Sequence, residues 1–282
     1  MALTINTNLA SLNAQRNLTT SQSSLQTSLQ RLSSGLRVNS AKDDASGMFT
    51  IQEMTADIRG LNQSVRNAQD GISLGQTAEG ALAQVTNNVQ RIREIAVQSA
   101  NATTGNRAGL QAEVDQLTQE ISRIVQTTEF NGSKLLDGST SGGLVFQVGQ
   151  DGSADNQVTV NGADLTATGS FAVYNSSLTA TGTIDVSTAA AASGALANLD
   201  TAITTLSTTR STFGAVQNRF EAVIANLTNY AENLTAARGR IQDADFAMET
   251  ANLTRAQILQ QAGVAMLSQA NALPQSALAL LQ

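Results

Sequence analysis

The sequence has no cysteine, no histidine and no tryptophan among its 282 residues, and it has one proline. Without cysteine there are no disulfides or thiolates, and without histidine there is no imidazole acid–base chemistry; a His- or Cys-ligated metal site is excluded as well. Catalysis would then need paired carboxylates or a Ser/Lys arrangement on loops, and no such convergence is present. We therefore predict that the chain is not an enzyme and uses no cofactor or metal.

Charge and long apolar runs are also scarce. The net charge is −6 and no basic stripe stands out, so we predict no nucleic-acid partner. No segment approaches the roughly 20 apolar residues that span a bilayer, and the N-terminus lacks the features of a cleaved signal peptide. Composition alone predicts a soluble, cytoplasmic protein without membrane insertion, unless export uses an uncleaved signal of another kind.

The sequence does contain long helical periodicity. Apolar residues recur at helical spacing over 51–72 and, after a register shift through Gly71, Gly75 and Gly80, over 82–96. If the helix is continuous from about 44 to 100, it is a rod of roughly 85 Å at 1.5 Å per residue. A Gly/Asn/Thr loop follows, and then a returning helix over 110–124 that should pack antiparallel on the rod. The helical spacing of apolar residues resumes over 196–241. Together with the rod and the returning helix, this stretch gives three apolar helix faces that can form the core of a bundle.

The segment after Phe130 is rich in Gly, Asp, Ser and Thr. Three short β-prone pieces, 144–148, 158–160 and 171–174, predict hairpins at the end of the bundle. The Ser/Thr/Ala/Gly tract that follows, up to Gly194, predicts a surface loop. The predicted fold class is mainly α, a long antiparallel helical bundle or coiled coil with a small β-hairpin region.

Both ends of the chain carry narrow apolar seams and almost no charge. In the last helix, a ladder of small residues precedes the large ones by three positions. The predicted seam residues of both ends are Leu18, Leu25, Leu29, Leu32, Leu36, Leu259, Gly263, Met266, Ala270, Leu273, Ala277 and Leu280. Such a seam cannot offset the ordering of about forty residues at roughly 1 kcal/mol each. We therefore predict that the ends are disordered in the free chain and become helical when packed together against copies of the chain.

Five stretches resemble bacterial flagellin, and they lie in the family's order at both ends of the chain. They are INTNLASLNAQRNL at 5–18, LQRLSSGLRVNSAKDDASG at 29–47, QRIREIAVQSAN at 90–101, TEFNGSKLLDG at 128–138 and AQILQQAGVAMLSQANALPQSALALLQ at 256–282. The insert between them is short, so the chain resembles a short flagellin with reduced outer domains.

The resemblance implies a domain organisation in which the terminal coiled coil forms on assembly. The parts are 1–42 and 243–282, the two halves of an inner coiled-coil domain; 43–175, the first part of a helical rod domain with hairpins; 176–194, a short variable loop; and 195–242, the C-terminal helix of the rod domain.

The resemblance also implies partners and a location. The chain would form a homopolymeric helical filament, the secreted extracellular flagellum used for motility. It would pass through the flagellar export apparatus with an export chaperone and would meet filament cap and hook-junction proteins. This would correct the cytoplasmic localisation inferred from composition.

The family signature recognised by host Toll-like receptor 5 maps to the rod. The matching residues are Gln90, Arg91, Ile95, Gln98 and Glu113, with Ile95 standing where the family often has Leu. Neighbouring subunits are expected to cover this helix surface in the filament, so recognition would need free subunit. Alternatively, and not exclusively, Arg91 and Glu113 form an ion pair between helices or subunits.

Two other functions stay open on the sequence alone. A hook–filament junction or cap-type protein would share the terminal coiled coil without polymerising indefinitely, but the close match at 90–101 favours the main subunit. Some flagellin relatives are hydrolases with a catalytic domain inserted centrally. The insert here lacks His and Cys and is too short for a domain, which argues against a zinc protease.

Overall fold

The computed structural model describes residues 8–166 and 184–279, with side chains up to residue 272. Its helices are α1 (Leu9–Ser34), α2 (Ala45–Ala100), α3 (Arg107–Thr127), α4 (Ala189–Gln242) and α5 (Phe246–Ala279). Its strands are β1 (Glu129–Phe130), β2 (Ser133–Lys134), β3 (Leu144–Gln147) and β4 (Gln157–Val160), with a 3₁₀ turn at Ala154–Asn156. The predicted fold class, mainly helical with small hairpins, is confirmed.

Short polar side chains set where the helices begin. The Asn8 side chain accepts a hydrogen bond from the Ser11 N–H at 3.1 Å, which satisfies one of the free donors at the start of α1. Asp44 accepts from the Gly47 N–H at 2.8 Å at the start of α2. At the other end of α1, Gly35 adopts φ +71°, a left-handed conformation that stops the helix at low cost.

The predicted surface loop extends too far. Helix α4 begins at Ala189, whereas the sequence analysis placed loop residues up to Gly194. Four consecutive alanines at 189–192 favour helix strongly, and the Thr188 hydroxyl accepts from the Ala191 N–H at 3.1 Å.

The chain divides into two compact units. We call Met1–Ile58 with Glu232–Gln282 the terminal unit, and Arg59–Ala231 the central unit. The boundaries fall inside α2 and α4, further from the chain ends than the predicted limits of the inner coiled coil at 42 and 243. The predicted five-part organisation concerns the assembled state and stays a prediction.

The core of the central unit lies between α2, α3 and α4. Its largest fully buried apolar side chains on these helices are Leu61, Leu74, Leu82, Ile92, Ile95, Ile121, Leu199, Leu206 and Phe220. Gly71 makes close packing of α2 and α4 possible, because a Cβ there would lie 2.5 Å from the Phe220 ring. The predicted rod helix and the returning helix are both confirmed.

The hairpin β3–β4 packs on α2 in the central unit. The Ser64 hydroxyl donates to the Gly149 carbonyl at 3.0 Å, and the Asn67 amide donates to the Gln147 carbonyl at 2.9 Å. The Phe146 ring meets Phe220 edge to face at 5.5 Å. Two of the three predicted β pieces are therefore confirmed, and the third, 171–174, lies outside the described residues.

A second hairpin, β1–β2, was not predicted. Asn131 and Gly132 form its two-residue turn, both with positive φ, +49° and +77°. Asn-Gly is the strongest sequence signal for such a turn, so the hairpin could have been found from that dipeptide.

Candidate self-assembly surface

Helices α1 and α5 run antiparallel in the terminal unit. The Asn8 amide donates to the Ala270 carbonyl at 2.8 Å near one end, and the Ala244 N–H donates to the Gly35 carbonyl at 2.9 Å near the other. The two segments therefore lie side by side, as the sequence predicts for the assembled state, and their disorder in the free chain stays a prediction.

The small residues of α5 lie on the face that contacts α1. Ala256 and Ala270 are buried and Gly263 is half-buried. A Cβ on Gly263 would lie 3.4 Å from Leu18 Cδ1, so the helices approach closely along this line. The side chain of Ala277, the next member of this ladder, lies outside the described residues.

The large residues of α5 lie on its exposed surface. Leu259 is 52% exposed and Met266 is 64% exposed. The sequence analysis placed small and large ladders on one seam, but the small ladder forms the close contact with α1, while Leu259 and Met266 lie at the edge of that contact and stay more than half exposed. The side chain of Leu273 and the whole of Leu280 lie outside the described residues.

The leucines of α1 are only partly covered. On α1, Leu18, Leu25 and Leu32 are half-buried and Leu29 is exposed, and Leu36, two residues after the helix ends, is also half-buried. The buried side chains of α1 are instead two serines, Ser11 and Ser28. The contact between α1 and α5 therefore buries little large apolar surface.

Among the side chains that the structure describes, one ion pair joins α1 and α5, and sequence reasoning did not find it. An Arg31 guanidinium nitrogen lies 3.9 Å from Glu249, whose side chain is 10% exposed. Arg31 Nε is buried without a hydrogen-bond partner. The two charges line a cavity of about 430 Å³ together with Arg255 and the hydroxyls of α1. The signal was available, because Glu249 is the last acidic residue of a charge-poor segment.

The residues matched to the receptor signature lie on α2 and α3 of the central unit. Gln90, Arg91, Gln98 and Glu113 are exposed. Arg91 Nη2 lies 2.8 Å from a Glu113 carboxylate oxygen, which confirms the predicted ion pair between helices. This hydrogen bond to Glu113, with a second to Glu94, raises the pKa of Arg91.

Ile95 does not belong to that exposed surface. Its side chain is 0% exposed and lies in the core of the central unit. The expectation that Ile95 lies on the helix surface is therefore wrong. Residues 92, 95, 96 and 99 are all buried, at the three- and four-residue spacing of the helix face that packs inward.

The part of the chain that the structure describes has neither a metal-binding cluster nor a membrane span. No group of three or more Asp, Glu, His or Cys side chains there could hold a metal ion. No helix in the same residues is long and apolar enough to cross a membrane.

The chain is similar to known flagellins over nearly its whole length. The family model for the bacterial flagellin N-terminal helical region matches residues 5–141, and that for the bacterial flagellin C-terminal helical region matches 196–281. Flagellin of Halalkalibacterium halodurans is 44% identical over 280 residues, which cover 99% of each chain. Flagellin of Bacillus subtilis is also 44% identical, over 304 aligned residues and 99% of each chain.

One solved structure shows a similar fold at low sequence identity. A structure described as a flagellar hook-associated protein from Vibrio parahaemolyticus has a TM-score of 0.60 at 14% identity, and covers 71% of this chain and 100% of its own. Flagellin of Bacillus cereus is 32% identical, with a TM-score of 0.47 and coverage of 61% of this chain and 94% of its own.

Proposed function

The chain belongs to the bacterial flagellin family, and from that premise we propose that it polymerises through its terminal unit into a filament that serves motility. As a member of this family it is a structural filament subunit. The family forms the extracellular flagellar filament, which corrects the cytoplasmic localisation drawn from composition.

The observation that supports polymerisation is the uncovered apolar surface of α5. Its exposed large residues are Phe246, Met248, Ile258, Leu259, Val264 and Met266. The one charged side chain from 250 to the end of the chain is Arg255. A long apolar surface with so little charge is typical of a protein–protein interface. When copies contact each other through two different surfaces, repeating the contact builds an open helical polymer if the rotation between neighbouring copies does not close a ring.

The packing of the terminal unit supports folding on assembly. Fixing one backbone residue costs about 1–2 kcal/mol, while a large apolar side chain returns about 1.5–3 kcal/mol only when it is fully buried. Among the described side chains of α1 and α5, the buried apolar residues are alanines, and the leucines remain partly or largely exposed. Burial against further copies would supply the missing stabilisation.

Truncation tests this proposal directly. Chains that lack 1–42 or 243–282 should keep the helical circular dichroism and cooperative unfolding of the central unit, and should fail to elongate filament seeds in electron micrographs. A truncated chain that still forms filaments would contradict the proposal.

A pair of point variants makes the test local. Leu259→Asp places a charge within the exposed apolar surface, and we expect it to stop elongation of seeds. Gln257→Asp adds the same charge at an exposed polar position of α5 and should elongate at a rate closer to that of the unchanged chain. Equal elongation by both variants would show that the apolar surface is not the assembly surface.

We also propose recognition of the free subunit by Toll-like receptor 5 through Gln90, Arg91, Gln98 and Glu113. The exposure of these four side chains on the central unit supports this proposal. Ile95 would contribute only indirectly, by packing in the core beneath this surface. Arg91→Ala should weaken receptor-reporter activation by the free subunit. Arg93→Ala, which removes the neighbouring ion pair with Asp200, is the matched control. Equal receptor-reporter responses to the two variants would contradict this assignment.

Export through the flagellar apparatus with its chaperone, and contacts with cap and junction proteins, belong to the same proposal. The alternative of a junction or cap-type protein is supported only by the likeness in fold to the hook-associated structure. Seeded growth separates the two, since a junction protein adds a limited number of subunits whereas a filament subunit elongates without limit.

A further inference from the structure

Methionine is the residue of this chain that oxidants can modify most readily. The sequence has five methionines and lacks cysteine, histidine and tryptophan. Met1 lies outside the described residues, and Met48 and Met54 are half-buried on α2. Met248 and Met266 on α5 differ from these, with 63% and 64% of their surface exposed. Met248 and Met266 are therefore the most exposed methionines among the described residues, and exposure favours oxidation of the thioether.

Met248 and Met266 lie on one line along α5. Eighteen residues separate them, which is five full turns at 3.6 residues per turn and roughly 27 Å along the axis. Leu259 lies between them on nearly the same line, because eleven residues make three turns. Leu259 and Met266 also line a groove of about 490 Å³ with Ala10 and Ala14 of α1.

We infer that Met248 and Met266 are sites of reversible oxidation to methionine sulfoxide, and that this modification in the free subunit blocks its addition to a filament. With hydrogen peroxide as oxidant, the thioether sulfur attacks one peroxide oxygen, an S–O bond forms and the O–O bond breaks. The sulfur loses two electrons, and the departing oxygen leaves as water after a proton transfer. The modification depends only on exposure, and its effect on assembly rests on the proposed function.

The blocking effect follows from the polarity of the product. A sulfoxide oxygen is a strong hydrogen-bond acceptor on a side chain that was apolar. Burying it against the apolar surface of another copy leaves that acceptor without a donor, which disfavours the contact. The same burial shields the thioether in subunits that have already been incorporated. Sensitivity to oxidation is therefore a property of the free subunit.

The site assignment is tested by peptide mass spectrometry of the full-length free subunit at limiting hydrogen peroxide. We expect the oxygen adduct, a gain of about 16 Da, to form several-fold faster at Met248 and Met266 than at Met54. In assembled filaments the adduct at Met248 and Met266 should form several-fold more slowly than in free subunits. Free subunits in which Met54 oxidises as fast as Met266 would overturn the assignment.

The effect on assembly is tested by seeded elongation with peroxide-treated subunits. Treated subunits should add several-fold more slowly, and methionine sulfoxide reductase should restore the rate. Peroxide treatment should leave the double variant Met248→Leu, Met266→Leu at that variant's own untreated elongation rate, whereas the control Met54→Leu should slow on treatment as the unchanged chain does. Oxidised subunits that elongate at the untreated rate would overturn the inference. Failure of untreated subunits to elongate would count against the proposed function instead, and the adduct rates would still decide the sites.

Discussion

The terminal and central units are built from the same kind of long helix but bury different residues. In the central unit, Leu82, Ile92 and Phe220 are fully enclosed. In the terminal unit, small residues and serines make the contact between α1 and α5, while Leu259 and Met266 lie exposed. Apolar periodicity is therefore sufficient for a helix, but side-chain size and local charge decide whether the helix completes a core or offers an interface.

The largest difference is expected between two phenylalanines. Phe220→Ala opens a cavity in the central unit and should lower the free energy of unfolding by about 3–5 kcal/mol. Phe246→Ala, on α5, removes a ring that is 59% exposed and should change the same quantity by less than about 0.5 kcal/mol. Urea denaturation of the free subunit measures both, and similar costs would refute the division between the two units.

Substitutions at two glycines of α2 measure the effect of close packing on stability separately from the effect of helix propensity. Gly71→Ala forces a Cβ against the Phe220 ring and should cost about 1–3 kcal/mol. Gly80→Ala meets no atom within 4 Å and should stabilise by up to about 1 kcal/mol through its helix propensity. Thermal unfolding checks the opposite signs, and a shift in the same direction would contradict the close packing of Phe220 on Gly71, since both changes share one helix.

The ion pair of the terminal unit should matter only after assembly. Glu249→Gln removes the acid that faces Arg31, and we expect a loss of about 1 kcal/mol per subunit, because the pair is long and Arg31 is partly exposed. Filaments of this variant should dissociate at a lower temperature, while urea unfolding of the free subunit should stay unchanged. Glu232→Gln, at an exposed position, is the control. Destabilisation of the free subunit would show that the ends are already folded there.

The smallest effect concerns an exposed pair of the central unit. The Arg123 hydrogen bond lowers the pKa of Glu120 below its usual value. A lowered folded-state pKa adds stability above the usual glutamate pKa, and that stability is lost as pH falls through the lowered value. Because both groups are largely exposed, we expect only about 0.3 kcal/mol. Glu120→Gln should remove this pH dependence in urea titrations between neutral and acid pH, and an unchanged profile would contradict it.

The sequence was a good guide to helices and a poor guide to distances between them. The rod predicted from about 44 to 100 is α2, Ala45–Ala100, because the helix continues through the register shift at Gly71, Gly75 and Gly80 and Asp44 caps its start. The separation of small and large ladders on α5 could not be predicted, since periodicity assigns faces but not how closely two backbones approach. The burial of Ile95 could have been predicted from its spacing with Ile92 and Ser99.

Hydrogen exchange on the free subunit tests the central claim most directly. We expect backbone amides of α1 and α5 to exchange nearly as fast as an unfolded chain, while α2, α3 and the part of α4 in the central unit are strongly protected. The same amides of α1 and α5 should become protected in assembled filaments. Protection of α1 and α5 in the free subunit equal to that of the central core would contradict the account.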